Sequence, residues 1–205
     1  MTAELFVLLG TPVTALEVVA FLLAVGCVVC NIRELHWGWP LSIASSLLYG
    51  WLFAVNRLYG EAALQGLFVG ISAWGWWQWL RGRGSDAVRV LRIRAMAAGG
   101  VLRVLAFWGV GALALGMALA RWTDSDVPFL DALPTAGSVL GQWMLARKYL
   151  ENWWVWIAVN TLSVLLFGWK GLWLTALLYA ALAVMAVAGL RGWKARLARD
   201  RRLPA

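Results

Sequence analysis

Charged residues are scarce in this sequence. Only 14% of the 205 residues are Asp, Glu, Lys or Arg, whereas 62% are hydrophobic and the mean hydropathy is +0.74. Because a soluble domain carries charge on about a quarter of its residues, this composition excludes an ordinary soluble protein. Apolar runs recur at about the 18 to 20 residues needed to cross a bilayer core. The sequence therefore predicts an all-α integral membrane protein.

Cysteine and histidine are also rare, with two cysteines and one histidine in the chain. Cys27 and Cys30 form a C-x-x-C pair inside a predicted span. A metal would need more ligands than these, and an apolar site disfavours the thiolate, so we predict small packing residues, no metal and no cofactor. No Lys or Arg precedes Arg33. Because a cleaved signal peptide has a basic N-terminal region, we expect the first helix to be retained.

Seven apolar segments are long enough to span a membrane. A basic stretch, residues 81–103, interrupts them and is predicted to be a cytoplasmic linker, in part an interfacial helix. The predicted spans are residues 13–31, 38–56, 61–80, 104–122, 128–146, 152–169 and 172–191.

The basic residues predict the orientation of these spans. With seven spans, 15 of the 18 Lys and Arg residues fall on one side of the membrane. By the positive-inside rule that side is cytoplasmic, so the N-terminus is expected outside and the C-terminus inside. The net charge of +8 then reflects topology, and we expect no nucleic-acid partner.

The chain also repeats itself weakly. A shift of 114 residues superposes Trp39 on Trp153, Gly75 on Gly189 and Trp79 on Trp193. These matches predict a three-helix repeat in residues 1–80, a basic linker with one connecting helix in 81–127, and a second repeat with a basic tail in 128–205. Three spans reverse the chain direction and one more restores it, so the repeats are parallel, as in SWEET-type transporters. In such folds the substrate binds near the midplane, between the repeats.

Polar residues share one face of the sixth predicted span. At 100° per residue an arc of about 100° holds two amides, a hydroxyl and two indoles, while Trp154 points away. Hydrocarbon penalises unsatisfied amides, so this face is expected to point towards other helices or a cavity. Its members are Asn152, Trp153, Trp156, Asn160 and Ser163.

Two other spans carry similar faces. The fifth has Asp131, Thr135, Ser138 and Gln142 within about 60° of one another, and the second has Trp39, Ser42, Ser46 and Tyr49 on one side. Indoles stack on flat heteroaromatic rings and cations, and amides recognise carboxamides or hydroxyls. The alternative is that these polar groups only join helices. The candidate substrate-binding residues are Gln142, Trp153, Trp156, Asn160, Asn152, Ser46, Tyr49 and Ser138.

Other classes of membrane protein fit the sequence less well. An intramembrane enzyme needs a nucleophile with a base or a metal cluster within the spans, and no catalytic set is visible. A retinal protein needs a lysine deep in the last helix, whereas Lys170 precedes that helix and Lys194 follows it. No mid-membrane carboxylate pairs with a Lys or His to relay protons, which favours facilitated diffusion.

The residues also carry a family resemblance. The segment DALPTAGSVLGQWMLARKYLENWWVWIAVNTLSVLLF, residues 131–167, contains the pattern D-A…T…Q…R-K…E-N-W…W…N. The first half adds WGWPLSIASSLLYG and LYGEAALQGLFVGISAWGWWQWLRG. Over nearly all of residues 15–193 the chain resembles the Pnu-type vitamin transporters, most closely those that carry nicotinamide riboside.

This resemblance implies a fold, an assembly and an activity. The implied fold has seven helices in a SWEET-related three-plus-one-plus-three order, assembled as a homotrimer in the inner (cytoplasmic) membrane. The implied activity is import of nicotinamide riboside by facilitated diffusion, with cytoplasmic phosphorylation trapping the substrate for NAD biosynthesis. Gln142, Trp153, Trp156 and Asn160 match motif positions expected to line the substrate site, and Asn152 matches the E-N-W motif. Related importers carry thiamine, riboflavin or deoxynucleosides, and these substrates stay open, as does a non-transporting structural role.

Overall fold

The computed structural model describes residues 4–8, 11–55, 59–81, 91–123, 127–169, 171 and 173–202. It divides into two compact units, residues 1–91 and 92–205, and each is described by itself. The first unit contains β1 (Glu4–Leu8), β2 (Thr11–Thr14), α1 (Ala15–Ile32), α2 (Gly38–Val55) and α3 (Tyr59–Arg81). The second contains α4 (Ala98–Trp122), α5 (Pro128–Ala146), α6 (Asn152–Trp169) and α7 (Trp173–Asp200).

Seven helices occupy the positions of the seven predicted spans, which confirms the helical part of the prediction. Two ends differ. Helix α4 begins at Ala98, inside the predicted linker 81–103, because the basic run gives way to small and apolar residues there. Helix α7 continues past residue 191 to Asp200, since the Ala, Arg, Lys and Leu residues of its tail favour helix even outside a membrane.

Length and hydropathy identify two helices most clearly as membrane spans. Among the described residues, Ala98–Trp122 and Thr175–Asp200 contain 18-residue windows with mean hydropathies of 1.8 and 1.6. Helices α5 and α6 carry amides, hydroxyls and tryptophans, which lower hydropathy without adding charge. The residues that weaken the hydropathy signal are therefore among those that form the polar faces.

A β-hairpin precedes the first helix, and the sequence pattern did not predict it. Strands β1 and β2 pair antiparallel, with Glu4 opposite Thr14 and Leu8 opposite Thr11. Strand β1 is five residues long, with four apolar residues after Glu4, which suits a strand and is far too short for a span. The all-α prediction therefore needs this addition at its N-terminal end.

A buried tryptophan organises the first unit. Helix α2 packs against both α1 and α3. Near the start of α2, Trp39 is 1% exposed and meets Trp79 of α3 edge-on, with ring centroids 5.5 Å apart at 83°. The indole lies against Gly75, where an added Cβ would come within 2.5 Å of Trp39 Cη2. The glycine thus makes the space that the ring fills.

The second unit has the same arrangement at positions 114 residues later. Helices pack in the order α4, α5, α6 and α7. Trp153 of α6 is 3% exposed and meets Trp193 of α7 with centroids 5.5 Å apart at 89°. Its indole lies against Gly189, where an added Cβ would come within 2.5 Å of Trp153 Cη2. In each unit, therefore, one buried indole packs against a glycine of the neighbouring helix and joins the two helices.

Candidate functional site

Two glycines let α4 and α6 approach α5 closely. Gly137 and Gly141 are four residues apart and so lie on one face of α5. A Cβ on Gly137 would come within 2.6 Å of both Trp108 Cζ2 on α4 and Val159 Cγ2 on α6. Small residues at this spacing are the usual means by which membrane helices pack backbone to backbone. The polar residues that neighbour these glycines are therefore held at a tight helix interface.

An indole of α6 lies across the second of these glycines. A Cβ on Gly141 would be 3.1 Å from Trp156 Cε2 and 3.3 Å from its Nε1. Trp156 is half-buried, and it packs against a buried cluster of Val104, Met144, Val155 and Val159. Trp154, on the other face of α6, is 54% exposed. The predicted division of α6 into an inward and an outward face is confirmed at these two tryptophans.

Two amides of the predicted polar faces are buried. Gln142 directly follows Gly141 and is 7% exposed, and Asn160 lies one turn after Trp156 and is 5% exposed. Ser163, 3% exposed, continues the same α6 face. Ser163 belongs to the predicted polar face of α6, and the structure shows that it is buried, although it is not one of the eight candidate substrate-binding residues. Trp156, Gln142, Asn160 and Ser163 are thus all buried or half-buried on α5 and α6.

The hydroxyl of Ser138 already has a partner within its own helix. Its Oγ donates to the carbonyl of Pro134 at 2.8 Å, and Thr135 donates in the same way to the carbonyl of Asp131 at 2.8 Å. Such bonds to the preceding turn satisfy a hydroxyl without a neighbouring helix. Ser138 is half-buried, and its contact with a substrate stays a prediction.

The first two residues of α6 make structural contacts. Asn152 is fully buried, and its Nδ2 donates to the carbonyl of Tyr149 at 2.6 Å. Trp153 is packed between Gly189 and Trp193, as described above. Within the described parts of the chain, Asn152 Oδ1 and Trp153 Nε1 have no hydrogen-bond partner. These contacts fix the start of α6, and direct contact of either residue with a substrate stays a prediction.

The remaining candidates belong to the first unit. Ser46 is 8% exposed and Tyr49 is half-buried, both on α2. One turn before Ser46, the Oγ atoms of Ser42 and Ser72 are 3.0 Å apart and share a hydrogen bond between α2 and α3. The predicted grouping of Ser46 and Tyr49 with the α5 and α6 residues stays a prediction.

The cysteine pair lies within α1. Cys27 and Cys30 are free thiols, each half-buried, and Asn31 Nδ2 lies 3.4 Å from Cys27 Sγ. In the region that the structure describes, no group of three or more His, Cys, Asp or Glu side chains is placed to hold a metal ion.

Comparison with known proteins identifies the family. Residues 14–195 match the family model described as nicotinamide mononucleotide transporter. The riboflavin/roseoflavin transporter RibM of Streptomyces davaonensis is 26% identical over 98% of this chain and 95% of its own length. The nicotinamide riboside transporter PnuC of Escherichia coli K12 is 26% identical over 71% of each chain.

A solved structure gives the same result for the fold. The crystal structure of the vitamin B3 transporter PnuC superposes with a TM-score of 0.70 at 25% identity. The superposition covers 90% of this chain and 82% of that chain. The resemblance to Pnu-type vitamin transporters is thus confirmed, and the chain belongs to the nicotinamide mononucleotide transporter family, which consists of multi-pass inner-membrane transporters of vitamin-like substrates and not of enzymes.

Proposed function

We propose that this protein imports nicotinamide riboside across the inner membrane by facilitated diffusion, with alternating access to a site beside α5 and α6. The observation that carries the proposal is the burial of two amides, Gln142 on α5 and Asn160 on α6, on helices where the half-buried indole of Trp156 lies across Gly141. A relative named for this substrate, at 26% identity, adds support.

The side chains on α5 and α6 match the parts of this substrate. Nicotinamide riboside has a flat cationic ring, a carboxamide and a ribose. An indole face attracts a flat cation by about 0.5 to 2 kcal/mol, and the amides of Gln142 and Asn160 offer both donors and acceptors. Ser163 adds a hydroxyl to the same face. In this proposal Ser138 completes the lining on α5, and contact of Asn152, Trp153, Ser46 and Tyr49 with the substrate stays a prediction.

The charge content of the two helices supports downhill transport. Helix α6 contains no charged residue, and α5 contains only Asp131, in its first turn. Proton-coupled carriers place ionisable residues within the membrane, and these helices offer none at mid-depth. Net uptake then requires that the product be retained, and phosphorylation by a cytoplasmic kinase would do so by adding charge. The proposed orientation has the N-terminus outside and the C-terminus in the cytoplasm.

The matching tryptophan contacts support a repeated architecture. Trp39, Gly75 and Trp79 make the same contacts as Trp153, Gly189 and Trp193, at a constant shift of 114 residues. We therefore retain the three-plus-one-plus-three, SWEET-like arrangement, with segments 1–80, 81–127 and 128–205, as part of the proposal. We also propose that the protein assembles as a homotrimer, because the family resemblance implies this assembly.

Riboflavin is the second candidate substrate. The relative named as a riboflavin/roseoflavin transporter matches this chain over 98% of its length. An isoalloxazine ring is larger and uncharged, and it presents imide and ring-nitrogen groups that amides can also bind. The two substrates therefore call for a direct comparison of binding.

Titration of the purified protein distinguishes these substrates. We expect nicotinamide riboside to bind saturably in calorimetry and to quench the emission of the 16 tryptophans. Riboflavin, thiamine and a deoxynucleoside should show weaker binding or none. Riboflavin binding more tightly than nicotinamide riboside would overturn the proposed substrate while leaving the transporter class intact. If none of the four binds, the polar face serves helix packing.

Replacement of Trp156 by alanine is expected to weaken nicotinamide riboside binding by about 1 to 3 kcal/mol, or roughly 5- to 150-fold in Kd, because the stacking surface is lost. The measurement is calorimetric Kd, with the melting temperature recorded in parallel since Trp156 also packs on the core cluster. Trp154→Ala is the matched control, because it removes an exposed indole two residues away. Equal affinity in a folded Trp156→Ala protein would remove this indole from the site.

A further inference from the structure

A cleft separate from the candidate residues opens at the start of α4. It has a volume of about 460 Å³ and lies between the first turns of α4, the last turns of α5 and the segment that precedes α4. None of the eight candidate substrate-binding residues lines it. Its lining includes Arg94, Arg103, Phe107, Leu140, Trp143 and Tyr149.

The segment that carries Arg94 is hydrogen-bonded to the turn after α5. Arg94 N donates to the carbonyl of Lys148 at 3.1 Å, and Leu150 N donates to the carbonyl of Arg94 at 2.9 Å. Two residues on, Met96 N donates to Glu151 Oε1 at 3.0 Å. The guanidinium of Arg94 lies 4.3 Å above the ring of Tyr149. Backbone pairing and stacking therefore position this cation at the cleft before any ligand arrives.

The first turn of α4 adds a second cation and a positive helix end. Arg103 Nε donates to the carbonyl of Gly99 at 3.1 Å, which holds this side chain along the helix towards its N-terminus. The N-cap residue, Ala97, supplies no side-chain cap to the first amides of α4. Helix N-termini carry partial positive charge that favours an anion, and here this end lies beside two arginines. The combination favours a phosphate group.

The other end of the cleft is apolar. Phe107 follows Arg103 by one turn and is 72% exposed. Leu140 and Trp143 of α5 complete this end, and Trp143 is 36% exposed. Arginine and tryptophan next to exposed apolar surface are typical of the level at which a membrane protein meets lipid headgroups. A ligand that fills this cleft has an anionic end and an apolar end.

We propose that the cleft is a binding site for an anionic phospholipid. The lipid phosphate lies between the guanidinium groups of Arg94 and Arg103, at the N-terminus of α4, and an acyl chain follows Phe107 along the helix. Basic pockets at membrane helices recognise anionic headgroups in this manner. A volume of about 460 Å³ falls within the range of small-molecule pockets and suits a headgroup with its glycerol. None of the eight candidate substrate-binding residues lines this site.

Native mass spectrometry of the full-length protein tests this site. The probes are phosphatidylglycerol and phosphatidylcholine with identical acyl chains, added to the detergent-solubilised protein. We expect phosphatidylglycerol to bind more tightly, and Arg94→Gln and Arg103→Gln each to weaken it about fivefold, since one basic residue near an anionic lipid contributes about that factor. Arg199→Gln is the matched control, because Arg199 is an exposed arginine of the α7 tail. If Arg94→Gln fails to fold, Arg94→Lys retains the charge and is expected to retain binding.

Two further measurements identify the source of the phosphate and the occupant of the apolar end. Phe107→Ala is expected to weaken phosphatidylglycerol binding without changing any binding of inorganic phosphate. Displacement of the lipid by millimolar inorganic phosphate would overturn the proposal in favour of a free phosphate. Equal binding of the two lipids, or equal losses in the Arg103 and Arg199 variants, would also overturn it. A change of oligomeric state in Phe107→Ala with unchanged lipid binding would assign this face to a second copy of the chain.

Discussion

Replacing Asn160 by alanine is expected to lower nicotinamide riboside uptake by about 10- to 100-fold. Asn160 is 5% exposed on the α6 face that also carries Trp156 and Ser163. A substrate group bound to this amide loses its partner in the variant, and a buried polar group left without a partner costs about 1 to 3 kcal/mol. The measurement is the initial uptake rate in proteoliposomes, together with calorimetric Kd on the same preparation.

The neighbouring residue supplies the control for this variant. Thr161 is exposed, and its Oγ1 donates to the carbonyl of Ile157 at 2.8 Å within the helix. Thr161→Ala should therefore retain uptake and affinity. Asn160→Ala is expected to remain folded, since polar contacts between membrane helices contribute only about 0.6 to 2 kcal/mol each. Wild-type affinity in folded Asn160→Ala would show that this amide joins helices and does not touch the substrate.

Replacing Gly189 by alanine is expected to destabilise the second unit by about 1 to 3 kcal/mol. The new Cβ would lie 2.5 Å from Cη2 and Cζ3 of Trp153, which is closer than carbon atoms approach. That indole cannot swing away easily, because it is 3% exposed and meets Trp193 edge-on. The clash must outweigh the gain of about 1 kcal/mol that alanine brings over glycine within a helix. Thermal unfolding in detergent, followed by tryptophan emission, measures the effect.

Other glycines of the chain separate the clash from the helix propensity. Gly70 and Gly109 are helical, and an added Cβ at either meets nothing within 4 Å, so alanine should be neutral or slightly stabilising there. Gly75→Ala should repeat the loss, because its Cβ would lie 2.5 Å from Trp39 Cη2. The double variant Gly189→Ala, Trp153→Leu has a smaller side chain at position 153. It should therefore lose less stability than the sum of the two single variants. Equal melting temperatures for Gly189→Ala and Gly70→Ala would contradict this account.

Much of the helical frame could be predicted from the sequence alone. The cost of placing charge or unpaired backbone in hydrocarbon is local, so uninterrupted apolar runs predict where helices lie, and the seven helices of the structure follow those runs. The polar face of α6 was predictable for the same reason, and it separates Asn160 from Trp154 correctly. The hairpin of Glu4–Leu8 and Thr11–Thr14 was missed because its short apolar run lies below the length at which a span is recognised.

Only the tertiary structure decided what each polar or aromatic residue touches. Trp153 and Trp156 lie on one predicted polar face of α6, yet Trp153 packs against Gly189 of α7 while Trp156 packs against Gly141 of α5. The cleft at Arg94 and Arg103 could not be predicted from the sequence either, because it depends on backbone pairing between residues 94 and 149. Periodicity reports the direction of a side chain around its own helix. The residue that a side chain contacts on the next helix depends on the register and distance between the two helices. The close contacts at Gly137, Gly141 and Gly189 determine both.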